Sequence, residues 1–282
     1  IVLGRTRIRD HKPFGVLSFR EVIQKSSNVG TIKAALVVGD ERLYDMIRRF
    51  GFGRRTGVDL PGETGGIVNP LERWRPTSKA YVSFGQEISV TAIQMANAFA
   101  AIANGGVLHR PYVARAVGRG EDLEPIERET EGKEIIAAHT AVTLGRVLET
   151  VVEKGTGRKA QVAGYRVAGK TGTAEKVIPG EGYSATARMA SFVGYLPARN
   201  PRLVGFVMLD HPRTQTHGGQ VAAPVFGAIM KKALLYLGVP TDPDVWPPPE
   251  REVAAEPPED PSQRPVTIEP VDPLLLPAGA DT

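Results

Sequence analysis

An α/β domain of the α+β type, with a mainly antiparallel sheet flanked by helices on both faces, is predicted by three features of this sequence. Apolar and β-branched residues concentrate in three successive segments, Arg166 to Ala174, Met189 to Leu196 and Leu203 to Leu209, and strands that follow one another through turns pair antiparallel. Segments of helical periodicity stand before and after them. The composition, 41% hydrophobic and 23% charged over 282 residues, is that of a globular chain long enough for one large core or two domains.

The elements read in order as follows. Ile1-Val2-Leu3-Gly4 opens like a strand and turn, with no initiator Met, so the chain is expected to begin inside a domain. Thr31 to Val38 and Arg42 to Phe50 form a helix pair, the second ended by Gly51 and Gly53. The first helix follows Ser26-Ser27-Asn28 closely, which puts Ser26 at or just before a helix start. Gly57 to Asn69 is a Gly- and Pro-punctuated loop, expected to form a rim over a cleft. Thr91 to Asn104, rich in Ala and closed by Gly105-Gly106, reads as a buried helix. His139 to Lys154 repeats the helical period, with Val142, Val147, Leu148 and Val151 as core candidates. After the three strands a last helix runs from Val221 or Pro224 to Leu237.

The character of the chain changes near Leu237-Gly238-Val239-Pro240. Residues 1–240 read as one domain; residues 241–282 hold 11 of the 23 prolines and 10 acidic groups against 2 basic ones, and read as a disordered Pro-rich acidic tail. The whole chain carries +4, so the body alone carries +12. A basic body suggests attraction to anionic membrane or wall polymers, although a solvated surface of mixed charge is the plainer reading. The apolar knot Val271 to Pro277 is open to two readings, a docking motif or simply more tail. No apolar run approaches 18 residues and Ile1 does not begin a signal peptide. Zero cysteines excludes disulfides, thiolate chemistry and Cys-ligated zinc, and the five histidines show no ligand spacing, so neither a metal nor a cofactor is expected. No nucleic-acid partner is expected either.

The chemistry concentrates in two places. Lys25-Ser26-Ser27-Asn28 and Val167-Ala168-Gly169-Lys170-Thr171-Gly172-Thr173 together supply two of the three parts of a serine acyl-transfer site. Such a site needs an activated hydroxyl, a proton shuttle to the leaving amine, and donors aimed at the oxyanion. Lys170 brings a positive charge to dock a substrate carboxylate and to favour deprotonation of a nearby hydroxyl. Thr171 and Thr173 add hydroxyls, and Gly172 removes a side chain so that an extended peptide can pair along the strand edge. Ser26 and Asn28, two apart, are expected to point into one cleft, the hydroxyl relaying a proton and the amide orienting a peptide group. The third part, a Ser-x-x-Lys box, occurs nowhere in the 282 residues; Thr156-Gly157-Arg158-Lys159 is the nearest in shape.

A competing motif overlaps the same residues. Gly164 to Thr171 fits the phosphate-loop pattern letter for letter, and Leu203 to Asp210 passes as its companion strand. That reading requires a helix opening at Lys170-Thr171, whereas Tyr165, Arg166 and Val167 are strand formers and Pro179-Gly180-Glu181-Gly182 soon follows.

From about Ser18 to Pro240 the chain resembles the class B penicillin-binding proteins, and within them the division-specific (septal) peptidoglycan D,D-transpeptidases. Besides the two motifs, the resemblance is carried by Phe84-Gly85-Gln86, Ser89 to Ala96, Ile102 to Gly106, Gly155-Thr156-Gly157, Phe192 to Tyr195, and Gly218-Gly219 leading into Ala222 to Phe226. It implies the penicillin-binding (β-lactamase-like) fold, with the cleft at the edge strand bearing Lys170. It further implies that Ser26 and Asn28 form the second motif, that Lys170, Thr171 and Gly172 form the third, and that Thr173 serves the substrate carboxylate and the oxyanion hole. The nucleophilic Ser and its Lys are expected upstream of Ile1, together with a membrane anchor, so this stretch alone is expected to be inactive. Implied partners are peptidoglycan stem peptides, β-lactams, a septal glycosyltransferase and other division proteins, with the membrane reached only through the anchor, on the extracytoplasmic face. The alternative is a non-catalytic wall-precursor-binding or division-scaffold protein.

Overall fold

The computed structural model describes residues 1–243 and 245 apart from 4–5, 121, 129–130, 179 and 181, and only the backbone of 6 and 185. The expected disordered tail lies outside the described residues from 246 onward, as does the apolar knot at 271–277.

Seven α-helices are described: α1 (Phe19–Lys25), α2 (Asn28–Val38), α3 (Asp40–Arg49), α4 (Ser78–Ser83), α5 (Ala92–Ala103), α6 (Ala138–Glu153) and α7 (Gly218–Tyr236). Three long strands, β1 (Ala168–Ile178), β2 (Gly182–Leu196) and β3 (Leu203–Asp210), form an antiparallel sheet in the order β3-β2-β1. Four short two-stranded pairs accompany it among the described residues. This is the predicted antiparallel α+β layout, with β1 at the edge.

Strand alternation gives the sheet two apolar faces. Phe192 and Leu196 of β2, with Leu203 and Val207 of β3, pack against Ala222, Ala223, Phe226, Met230 and Leu234 of α7. The Phe192 and Phe226 rings lie 4.7 Å apart. Tyr195, one residue out of phase, joins Ala168, Ile102 of α5 and Leu148 of α6 on the other face. Each fully buried side chain of this size contributes roughly 1.5–3 kcal/mol of transfer free energy, so the helices are held to the sheet mainly by these two layers.

Several expectations are corrected. Helices α1 and α4 were not predicted, although Ser18 and Glu21 form a capping box at the start of α1. Helix α2 begins at Asn28 rather than Thr31, because Ser27 caps it. Val142 on α6 is exposed, whereas Val147, Leu148, Val151 and Val152 are buried; Val142 lies off the stripe that 3.6-residue spacing extends back to Ala141. Helix α7 begins at Gly218 and carries Pro224 inside it. Proline there removes only one bond, to a carbonyl in the helix's first turn. The phosphate-loop reading fails on geometry, since Lys170 and Thr171 lie within strand β1 and no helix opens there.

Candidate active site

Two turns of main chain assemble the site. Helix α1 ends on Ser26, whose backbone is left-handed (φ 55°, ψ 50°), a conformation uncommon for a residue with a side chain. The Ser26 N–H donates to Ile23 O (3.2 Å) and the Ser27 N–H to Val22 O (2.9 Å), closing the helix. Ser27, buried, then opens α2 by accepting from Gly30 N–H (2.9 Å). Its hydroxyl donates to Asp10 Oδ2 (2.8 Å), and Asp10 Oδ1 accepts from Val29 N–H (3.1 Å). At Gly30 an added Cβ would lie 2.5 Å from a Val22 methyl, so only glycine lets α2 lie this close to α1. The helix joint thereby aims Ser26 at the sheet while Asn28, the first residue of α2, lines the same cavity. Ser26 and Asn28 share a cleft as expected, brought together at a helix–helix corner.

Strand β1 supplies the other wall. Lys170 Nζ donates to Ser26 Oγ (2.8 Å) and to Thr171 O (3.0 Å), joining segments 144 residues apart. Burial pushes the Lys170 ammonium down to about 8. Thr171 Oγ1 lies 2.7 Å from Thr156 Oγ1, in the turn after α6. Thr173 Oγ1 accepts from Gly218 N–H (3.1 Å) at the start of α7. A Cβ on Gly218 would sit 2.2 Å from Ser191 O and 2.3 Å from Gly172 O, and one on Gly172 would sit 2.4 Å from Ser191 Oγ. The absent side chain at Gly172 therefore admits Ser191, on the neighbouring strand β2, which is a requirement of the sheet itself.

These groups line one cavity of about 790 Å³, containing Ser26, Asn28, Lys170, Thr171, Gly172 and Thr173. Every predicted site residue is present there. Lys25, His11 and His217 also line it, and no carboxylate does so among the described residues, so the cavity favours anions. Its far side is apolar, formed by Phe99, Ile102, Leu144 and Leu148. On the unpaired side of β1, the sheet carries no further strand among the described residues, leaving its main-chain groups available to an extended ligand.

The expectation that the loop forms a rim over this cleft is revised. The loop from Gly57 to Asn69 does not line this cavity. Glu87 is bound to Arg75 (2.6 Å) and Ser78 Oγ (2.6 Å), and Glu175 pairs with Arg188 (3.3 Å). Trp74 packs edge-on against Tyr44 and donates to Asn69 O. Asp10, Ser27 and Gly218 were not singled out for the site from sequence. Asp10 sits far upstream in an unremarkable segment; the glycine pair 218–219 was the better signal, since two glycines at a helix start mark close backbone approach.

Comparison with known proteins agrees with this fold. Residues 3–231 match the family model described as penicillin binding protein transpeptidase domain. The chain is similar to the stage V sporulation protein D of Bacillus subtilis (43% identity over 233 residues, 80% of this chain and 35% of that protein). It is also similar to the peptidoglycan D,D-transpeptidase FtsI of Escherichia coli (35% over 237 residues, 83% and 38%). Among solved structures, penicillin binding protein 3 from Mycobacterium tuberculosis in complex with ampicillin superposes with a TM-score of 0.78 at 39% identity, covering 86% of this chain and 56% of that one. The chain thus spans between a third and two fifths of the length of these two curated relatives.

Proposed function

Because the chain belongs to the penicillin binding protein transpeptidase domain family, we propose that it is the C-terminal part of the transpeptidase domain of a peptidoglycan D,D-transpeptidase that cross-links stem peptides during cell division. The observation that carries this reading is the 2.8 Å bond between Lys170 Nζ and Ser26 Oγ inside a cavity that also holds Asn28, Thr171 and Thr173. A lysine with a lowered pKa bound to a hydroxyl is a proton-transfer pair.

In this mechanism a serine of an upstream Ser-x-x-Lys segment attacks the penultimate D-Ala carbonyl. Its Oγ forms the ester, the peptide C–N bond breaks, and the departing D-Ala amine takes a proton relayed through Ser26, with Lys170 as its neighbour. Thr173 and the positive end of the Lys170 side chain hold the terminal carboxylate, and the Thr173 N–H contributes to the oxyanion hole. Asn28 orients the peptide group, and the open edge of β1 pairs with the extended stem. A neighbouring stem amine then attacks the ester and restores the serine. The apolar wall of Phe99, Ile102, Leu144 and Leu148 is the seat proposed for the segment bearing the nucleophile. β-Lactams acylate the same serine. The protein works on the extracytoplasmic face of the cell membrane through an upstream anchor, beside a septal glycosyltransferase. Division is supported by the names of the sporulation and FtsI relatives.

The test is covalent labelling by a fluorescent penicillin of this 282-residue chain and of the same protein extended upstream through a Ser-x-x-Lys box. Labelling of the extended protein alone, weakened by Lys170→Ala or Ser26→Ala, is the expected result. If neither protein labels, the reading fails in favour of a non-catalytic wall-precursor-binding or division-scaffold protein.

A further inference from the structure

A second concavity, of about 190 Å³, is formed by the end of α3, the loop after it, α5 and the short strand Val107–Leu108. It shares no lining residue with the site above. Arg54, Arg55, His109 and Arg110 stand around it, all exposed. The neutral polar groups of its wall are already committed. Gln94, buried, donates to Arg54 O and Gly65 O (both 2.8 Å) and accepts from Thr91 N–H (2.8 Å). Asn97 donates to His109 O (2.9 Å), and Thr56 Oγ1 donates to Glu63 (2.6 Å).

The guanidinium groups are oriented without being neutralised. Arg54 donates to Arg48 O (3.1 Å) and Arg110 to Gly57 O, each a main-chain carbonyl. One bond of this kind fixes a guanidinium plane and leaves most of its five donors free. Among the described residues, no ion pair within 4 Å involves Arg54, Arg55 or Arg110. Glu63 is the carboxylate near Arg55, and it already accepts from Thr56 N–H (2.6 Å), Thr56 Oγ1 and Gly57 N–H (3.0 Å). Burial opposes ionisation of Glu63, but those bonds and the Arg55 charge outweigh it and hold its carboxyl below the usual range. Glu63 is thus spent on shaping the loop that carries Arg54 and Arg55.

We propose that this concavity is a binding site for a phosphate group, clasped by Arg54, Arg55 and Arg110 with His109 at the rim. Two fixed guanidinium forks, those of Arg54 and Arg110, with the Arg55 charge beside them around a space of this size, match a compact tetrahedral oxyanion of up to two charges better than single carboxylates strung along a chain. The phosphate can come from a soluble glycerol-phosphate polymer or from a lipid headgroup, and the chemistry recognised is the same.

The experiment is titration of the 282-residue chain with inorganic phosphate, followed by calorimetry and phosphorus NMR line width. Saturable binding is expected, weakened about tenfold by Arg110→Ala and again by Arg54→Ala, as the loss of a charge-assisted bond implies. Arg110→Lys, which keeps the charge and loses the fork, falls between. Arg119→Ala, an exposed change elsewhere of the same net charge, leaves binding unaltered. Melting temperatures of all four variants close to wild type separate binding from folding. Competition by soluble poly(glycerol phosphate), against co-sedimentation with phosphatidylglycerol vesicles, identifies the source. The proposal is overturned if phosphate does not saturate, or if Arg119→Ala weakens binding as much as Arg110→Ala. It is equally overturned if a peptide of residues 246–282 binds in an Arg110-dependent manner while phosphate does not.

Discussion

At the residue scale the site turns on Lys170, whose ammonium is buried against hydroxyls and a carbonyl. Its folded value of about 8 lies below the ordinary 10.5 of an exposed lysine. Below pH 8 both folded and unfolded chains carry the proton, and the fold bears the full cost of burying the charge. Between pH 8 and 10.5 the unfolded chain binds more protons than the folded one, so stability rises with pH across that window. Denaturant titrations of wild type and Lys170→Met are therefore expected to diverge below pH 8, with the methionine variant more stable there, and to converge towards pH 10.5. Curves that stay parallel would remove the buried charge from the account. Asp10 is a second residue whose importance exceeds its visibility, since it ties Ser27 Oγ and Val29 N–H at the corner that aims Ser26. Asp10→Ala is expected to cost about 2 kcal/mol, the range for bonds to a charged acceptor. Thermal melts check the cost, and an equal melting point would show that the corner holds without it.

At the element scale the active wall depends on how closely helix α7 approaches strand β1. A Cβ on Gly218 would collide with main-chain oxygens of both Gly172 and Ser191, so a methyl there has nowhere to go without moving the helix or the strand. Gly218→Ala is expected to destabilise by roughly 1–3 kcal/mol through overpacking and to disturb the Thr173 hydroxyl, which accepts from the Gly218 N–H. Gly15→Ala, with open space around the added carbon, should fall within about 0.5 kcal/mol of wild type. Chemical denaturation of the two variants gives the comparison, and equal losses would refute the close-approach argument. Strands β1 to β3 were legible in the sequence because β-branched and apolar residues cluster between turn residues. Helices α1 and α4 were not, being only 7 and 6 residues long, less than two full turns over which a period can show itself.

At the scale of the whole molecule, hydrogen bonds to the body continue two residues past the point where the composition changes. Asp242 Oδ2 accepts from Arg166 N–H (2.6 Å) and the Asp242 N–H donates to Gly164 O (2.9 Å), just ahead of the strand that carries Lys170. A chain cut after residue 245 is expected to melt as the full chain does. A chain cut after residue 240 loses both bonds, and a melting point lower by a few degrees is expected, at about 2–4 °C per kcal/mol for a domain of this size. Identical melts of the two truncations would place the boundary back at 240. The sequence by itself determined the sheet and the major helices, and it singled out Ser26, Asn28, Lys170, Thr171, Gly172 and Thr173 as the candidates that line one cavity, because short-range periodicity and residue chemistry are local properties. Only the tertiary structure decided that Lys170 reaches Ser26 across 144 positions, that a left-handed serine at a helix corner does the aiming, and that Gly172 makes room for Ser191. Such contacts depend on how separate elements pack, and no spacing within one segment encodes the distance between two.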